Sequence, residues 1–230
     1  FGEAGVDLVG DTDNCVILNN LIHHCGNGLK LLSAQSSDNA IWNNQTYDRG
    51  LYLYSWRAFM TPLTTRNAAQ GMPVETGRGI SIVGNFVHGY FNSIVPQITG
   101  KPDALGANRD MDVLDNMVAN NGDDGYDGGG VNMRMLDNRH PNTLEGVSAA
   151  PIERGPVYII GNHGVARNYA FKLMNSVPGT GAAFLVHNSH LVVGGGAMRM
   201  PAEVQGGKPV AFDQKFIHNN LFVTTGNFIS

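Results

Sequence analysis

The sequence predicts an all-β chain, a right-handed parallel β-helix of about eight rungs that fills residues 1–230 as one domain with two long inserted loops. Three observations predict it: an asparagine-bearing motif that recurs along the chain, apolar residues that alternate within each recurrence, and a composition poor in charge and rich in glycine. Charged residues make up 15% of the chain and glycine contributes 30 of its 230 residues. That is too few charges for the surface of a helical bundle and too much glycine for long helices. With 42% hydrophobic residues, the chain can still bury a sizeable core.

The motif reads apolar, any, small or polar, Asn, apolar. It appears as Ile17-Leu18-Asn19-Asn20-Leu21, Ile82-Val83-Gly84-Asn85-Phe86, Val113-Leu114-Asp115-Asn116-Met117 and Ile159-Ile160-Gly161-Asn162. Its last Asn falls at 20, 44, 85, 116, 138, 162, 188 and 220. The shortest spacings cluster at 22–26 residues, and the longer ones leave room for inserted loops. One such unit cannot close a core alone, but stacked units can, with coils about 4.8 Å apart.

Within each unit the apolar positions lie two apart, as in Ile80 and Ile82 or Met133 and Met135. That is strand periodicity with one face buried. The Asn sits where the chain must bend, a place suited to its tolerance of left-handed angles, and stacked amides would form a ladder. A second strand is expected after each turn, at Gly28–Leu31, Gly50–Leu53, Gly125-Tyr126 and Phe171-Lys172-Leu173. Residues 54–79 and 189–212, the latter with Gly194-Gly195-Gly196, read as long loops.

Composition also narrows the function. The net charge of −4 gives no basic footprint for nucleic acid. No apolar run reaches transmembrane length, so no membrane insertion is expected. Cys15 and Cys25 make neither a disulfide framework nor a zinc signature and read as small buried hydrophobes. Both ends run in rung-like sequence, so the chain reads as a portion of a longer protein whose end coils need caps or a stacking partner.

The densest acidic run is Asn120-Asn121-Gly122-Asp123-Asp124-Gly125-Tyr126-Asp127. Three carboxylates within five residues, with glycine between, form an oxygen-rich site of the kind calcium takes. A solvated acidic turn explains the same residues less specifically. Lys172 lies ten residues after its turn asparagine, Asn162, and the three acids lie 7, 8 and 11 after Asn116. All four are therefore expected on one strand line, two coils apart, with Phe171 and Leu173 turned inward and Lys172 outward. Lys30 occupies the same rung position without an evident acidic neighbour.

The recurring motif resembles the repeat of the pectate-lyase-like superfamily over almost the whole chain. Asp123-Asp124-Gly125-Tyr126-Asp127 with Phe171-Lys172-Leu173 two rungs on is similar to the signature of family 9 polysaccharide lyases. Arg154-Gly155-Pro156-Val157-Tyr158 also resembles a segment of a related group of β-helix proteins. The lyase resemblance implies calcium held by Asp123, Asp124, Asp127 and an acid one coil earlier, for which Asp103 is the candidate. It implies Lys172 as the base that removes the C5 proton of a uronate, and a secreted enzyme, extracellular or periplasmic, with a polysaccharide as partner. Met174 and Asn175 depart from the family pattern after Phe-Lys-Leu. A non-catalytic glycan-binding or structural β-helix, or a glycoside hydrolase using two carboxylates, stands beside that expectation.

The remaining features are weaker. Arg134 and Arg139 flank the turn at Asn138 and are expected to bind a substrate carboxylate or pair with the acids at 123–127. The eight histidines lack metal-ligand spacing, with His187 and His218 structural beside turn asparagines. Gly128-Gly129-Gly130 is no phosphate loop, since neither a Lys-Ser/Thr pair nor a helix follows. Trp42, Tyr47, Tyr52, Tyr54 and Trp56 form an aromatic cluster whose outward members would suit sugar rings.

Overall fold

Three-residue strands bounded by single left-handed corners set the architecture. Val16–Leu18, Ala40–Trp42, Ser81–Val83 and Asp112–Leu114 are each flanked by two residues at positive φ: Asn14 and Asn19, Asp38 and Asn43, Gly79 and Gly84, Asp110 and Asp115. One left-handed residue turns the chain sharply, and Gly, Asn and Asp adopt that conformation at least cost. Among the described residues, a third corner follows five residues on at His24, Gly89 and Asn120.

The computed structural model describes residues 4–31, 36–47, 70–74, 77–96, 109–152, 155–175, 181–200, 204–205, 208–209 and 214–226. Among these residues there is no helix. The strands named above continue through Met133–Leu136, Val157–Ile160, Ala182–Val186 and Gln214–His218 as an eight-stranded sheet, parallel throughout. A second, twelve-stranded parallel sheet starts at Leu21–His23 and runs through Met117–Ala119, Arg139–Ile152 and His163–Asn175 to Leu221–Thr224. The strands Gln70–Pro73, Asn92–Val95, Asp124–Asp127 and Gly196–Arg199 branch from it.

Alternation then builds the core. Ile41, Ile82, Val113, Met135, Ile159 and Leu185 form one register column and are completely buried. Val87, Val118, Tyr126 and Phe171 from the second sheet pack into the same cluster.

The eight turn asparagines form one continuous ladder. At Asn116 the backbone N–H and the side-chain amide both donate to Asn138 Oδ1, at 3.0 and 3.1 Å, and the amide also donates to the Ile82 carbonyl at 2.8 Å. The same pattern runs from Asn20 to Asn220. The left-handed angle belongs to the residue before each ladder Asn, not to the Asn itself. Hence Asn19, Asn43, Gly84, Asp115, Asp137, Gly161, His187 and Asn219 occupy the small-or-polar slot of the motif.

Both expected loops are partly sheet. Gln70–Pro73 pairs in parallel with Asn92–Val95, so the first insertion ends before residue 70; residues 51–69 lie outside the described residues. Ser189–Val192 and Gly196–Arg199 both pair in parallel with His163–Asn175. The glycine run between them suggested a loop, but it serves close packing: a Cβ on Gly195 would lie 1.7 Å from the Asn168 carbonyl oxygen. Of the expected second strands, Asn27–Leu31 and Asp124–Asp127 are present, and residues 50–53 lie outside the described residues. Cys15 and Cys25 are free and only half-buried.

Candidate functional site

Strand Asp124–Asp127 follows the corner at Asn120 and lies between Asn92–Val95 and Arg139–Ile152. Tyr126 is buried, and its hydroxyl shares its one proton between the carbonyls of Asn116 at 2.8 Å and Arg139 at 2.9 Å. Register carries that inward column through Val147, Phe171 and Met198, all fully buried. One residue on, the column is Asp127, Ser148, Lys172 and Arg199, which alternation places on the opposite side. Three residues back from that column, Asp124 pairs with Glu145 and Glu145 with Tyr169.

Lys172 joins the two columns. Its Nζ donates to Asp124 Oδ2 at 3.1 Å and lies 3.3 Å from Glu145 Oε2. The lysine side chain keeps 20% of its surface exposed, against 2% for Asp124 and 5% for Glu145. Glu145 Oε1 accepts from Asn168 Nδ2 at 3.1 Å and lies 4.0 Å from Arg199 Nη1. Arg199 in turn covers the Tyr169 ring, 5.8 Å from its centroid. The backbone is tied down as well: Asp124 N–H donates to Asn92 Oδ1 at 3.1 Å, and Glu145 N–H to the Asp123 carbonyl at 3.0 Å.

Burial and neighbouring charge perturb Asp123, Asp124, Asp127 and Lys172. Burial, with Glu145 adding to it, pushes Asp123 up to about 6 against the pull of Lys172 and Arg199. Burial lifts Asp127 to about 7, although Lys172 and the Ser148 hydroxyl oppose it. Burial and the neighbouring Asp127 and Asp123 raise Asp124 well above the usual carboxylate range. For Lys172, burial alone would lower the ammonium, but Asp124, Glu145, Asp127 and Asp123 together outweigh it and raise it.

One oxygen from each of Asp123, Asp124 and Glu145 can be chosen so that all three lie within 4.8 Å of one another. A calcium ion with ligand distances of about 2.3–2.6 Å can bridge oxygens at that spacing. Asp124 Oδ1 is buried and accepts no hydrogen bond, leaving a lone-pair site for a cation. The acidic triad can therefore hold a metal ion. Two expected ligands, Asp123 and Asp124, belong to it. Asp127 adjoins them beside Ser148, and Asp103 lies outside the described residues.

Glu145 escaped the sequence reading. Its signal is its spacing: it lies seven residues after Asn138, as Asp123 lies seven after Asn116. Arg199 was missed inside a supposed loop. Arg134 is not in this group, because it sits in the eight-stranded sheet and forms an ion pair with Asp112, its register partner. Arg139 is exposed at the start of its strand, beside Met117 and His163. Among the described residues, Lys172 and Arg199 are the cations that act on the acids.

Four of the eight histidines fall into two stacked groups. His140 and His190 stack in the interior at 4.8 Å, while His23 and His88 sandwich Tyr47 at 5.3 and 5.0 Å. Trp42 points outward and donates to Ser81 Oγ at 2.8 Å; Tyr52, Tyr54 and Trp56 lie outside the described residues. No protein-family model, no curated protein and no solved structure matches the chain.

Proposed function

We propose that this protein is a secreted polysaccharide lyase, built on a closed right-handed parallel β-helix, that cleaves a uronate-containing polysaccharide by calcium-assisted β-elimination. The observation that carries the reading is the Lys172 amine 3.1 Å from Asp124 and 3.3 Å from Glu145, on the same side as Asp123 and Asp127. β-Elimination removes a weakly acidic proton next to a carboxylate, so it needs a base together with positive charge that neutralises the carboxylate.

Asp123, Asp124 and Glu145 would hold the calcium, with Asp127 at their edge. Bound there, calcium would supply charge to neutralise the uronate carboxylate and the enolate-like charge that develops from it. Lys172 is the base for the C5 proton. Without a cation the four carboxylates keep its amine protonated; compensating their charge removes that support and frees the amine. Arg199 faces the same space with nearly half its side chain exposed, placed to pair with a substrate carboxylate.

The test incubates the protein with pectate, alginate and related polyuronates, with calcium or with a chelator, and follows the ultraviolet absorbance of unsaturated products. Calcium-dependent absorbance that Lys172→Ala abolishes, with the fold retained by circular dichroism, is the expected result. Turnover that survives in Lys172→Ala would sink the lyase assignment. A second reading has its own support: Asp127, lifted to about 7, stays partly protonated near neutral pH, as the general acid of a glycoside hydrolase does. That enzyme would release reducing ends without an absorbing product.

A further inference from the structure

The outer face of the eight-stranded sheet is as apolar as a surface meant to be covered. Its first outward column runs Val16, Ala40, Ser81, Asp112 and then Arg134, Tyr158, Phe184, Phe216, one residue per coil in unbroken register. The column two residues on is apolar from Leu18 through Trp42 and Leu114 to Val186. Leu18, Trp42 and Phe216 leave 44, 41 and 49% of their surface exposed. A parallel sheet with apolar residues on both faces is normally covered on both.

The order of residues in the first column selects the occupant. Small side chains fill one half, Ala40 and Ser81, and rings fill the other, Tyr158, Phe184 and Phe216. The two charges sit at the middle, on the fourth and fifth of eight strands. Consider a second copy laid on this face with its stacking axis reversed, related by a two-fold axis that runs along the strands between Asp112 and Arg134. Asp112 then faces Arg134 of the second copy and Arg134 faces its Asp112. Ser81 meets Tyr158 of the second copy, and the exposed Val16 meets its Phe216. A two-fold axis along the stack would instead set Asp112 against Leu114, with only the Arg134 of its own copy as partner. Self-complementarity of this kind is the mark of an isologous interface.

The rings do not suit a sugar chain. Tyr158 and Phe184 stack at 5.1 Å and 17°, Phe184 and Phe216 at 4.6 Å and 5°, so their faces are spent on one another and their edges point out. We infer that this face is the interface of an antiparallel homodimer, centred on reciprocal Asp112–Arg134 pairs. Eight strands about 4.8 Å apart and about four residues wide give a footprint on the order of 500 Å² per copy, about 1,000 Å² in all. That is the low end for a specific interface, so the dimer is weak and depends on concentration.

Sedimentation of the folded chain over a concentration series tests the inference through charge reversal. Asp112→Arg alone makes all the central charges positive, and Arg134→Asp alone makes them negative. Each variant is expected to sediment as a monomer where the parent dimerises, and an equimolar mixture is expected to restore the dimer as a heterodimer. Phe216→Lys, at an exposed position away from the core, is expected to weaken dimerisation at least tenfold even if a charge variant misfolds. A parent chain that stays monomeric at its highest soluble concentration overturns the inference. So does association untouched by Phe216→Lys, which would place the contact at the solenoid ends or elsewhere, and so does a mixture of two folded charge variants that fails to pair.

Discussion

Lys30 and Lys172 hold the same place in their coils, ten residues after a ladder asparagine, and yet sit in very different fields. The lysines are covered about equally, with 16% and 20% of their side chains exposed. The difference lies in their partners. Lys30 faces Asp7, its register partner one coil away, at 3.8 Å, and Asp7 is 40% exposed. Lys172 faces Asp124 and Glu145, which are nearly sealed from solvent, and Asp123 and Asp127 add to the same field. Position in the solenoid therefore makes an ion pair, whereas burial of the acids makes a candidate site. An exposed pair contributes about 0–1 kcal/mol. Removing one partner of a buried pair costs about 3–5 kcal/mol, because a charge is left without compensation.

The largest effect expected from breaking that contrast is at Lys172. Replacing it with Ala is predicted to lower the elimination rate by roughly 10²–10⁴-fold, the usual worth of a positioned acid–base group. The cation-free protein should also lose about 3–5 kcal/mol of stability, read as a fall in thermal midpoint. Lys30→Ala should leave the rate unchanged. Equal losses of rate in the two variants would show that Lys172 acts only through the fold.

Next in size is the cation. Glu145→Gln keeps the side chain's shape and its oxygen for Asn168 but removes a charged ligand, so calcium affinity measured by titration calorimetry should fall by roughly 10–100-fold. Asp7→Asn should not change it. Proton dependence follows from the same group. Asp123 at about 6 and Asp127 at about 7 are protonated more readily in the folded chain than in the unfolded one. Their favourable contribution is complete below about pH 4 and is lost as pH rises through 6 and 7. The cation-free protein should thus lose on the order of 5–10 °C of thermal midpoint between about pH 5 and 8, with calcium restoring it increasingly across that window. A calcium response that is flat with pH would place the cation elsewhere.

The ladder was legible because its chemistry is local. Each turn needs a left-handed residue followed by an amide that bonds its successor one coil on, and both demands leave letters in the chain, as in Gly84-Asn85 and Asp115-Asn116. The acids and Lys172 were legible because three carboxylates stand together and the coil count carries them to the lysine. Glu145 was harder to see. In its coil the corner equivalent to Asn120 is gone, and Arg139–Ile152 runs as one strand of 14 residues with register shifts between His140 and Thr143 and between Thr143 and Glu145. On its other side the register shifts between Met117 and Ala119, and Glu145 stands opposite Asp124 where simple counting sets it opposite Asp123. Arg199 was hidden because glycine is read as a turn residue, although at Gly195 it permits close approach of two strands.

The smallest effect is also the most direct measure of the difference between the two lysines. In a double-mutant cycle, Asp7→Asn and Lys30→Ala should couple by about 0.2–1 kcal/mol, the range of exposed pairs, and raised salt should erase most of it. The cycle of Glu145→Gln with Lys172→Ala, run without a cation, should couple by about 1.5–3 kcal/mol and respond less to salt, since water and counterions are largely excluded from Glu145. Thermal or urea unfolding of the four single and two double variants supplies both numbers. If the couplings are equal, coverage of the carboxylates does not separate the two lysines, and the acids around Lys172 are an ordinary stack of surface charges.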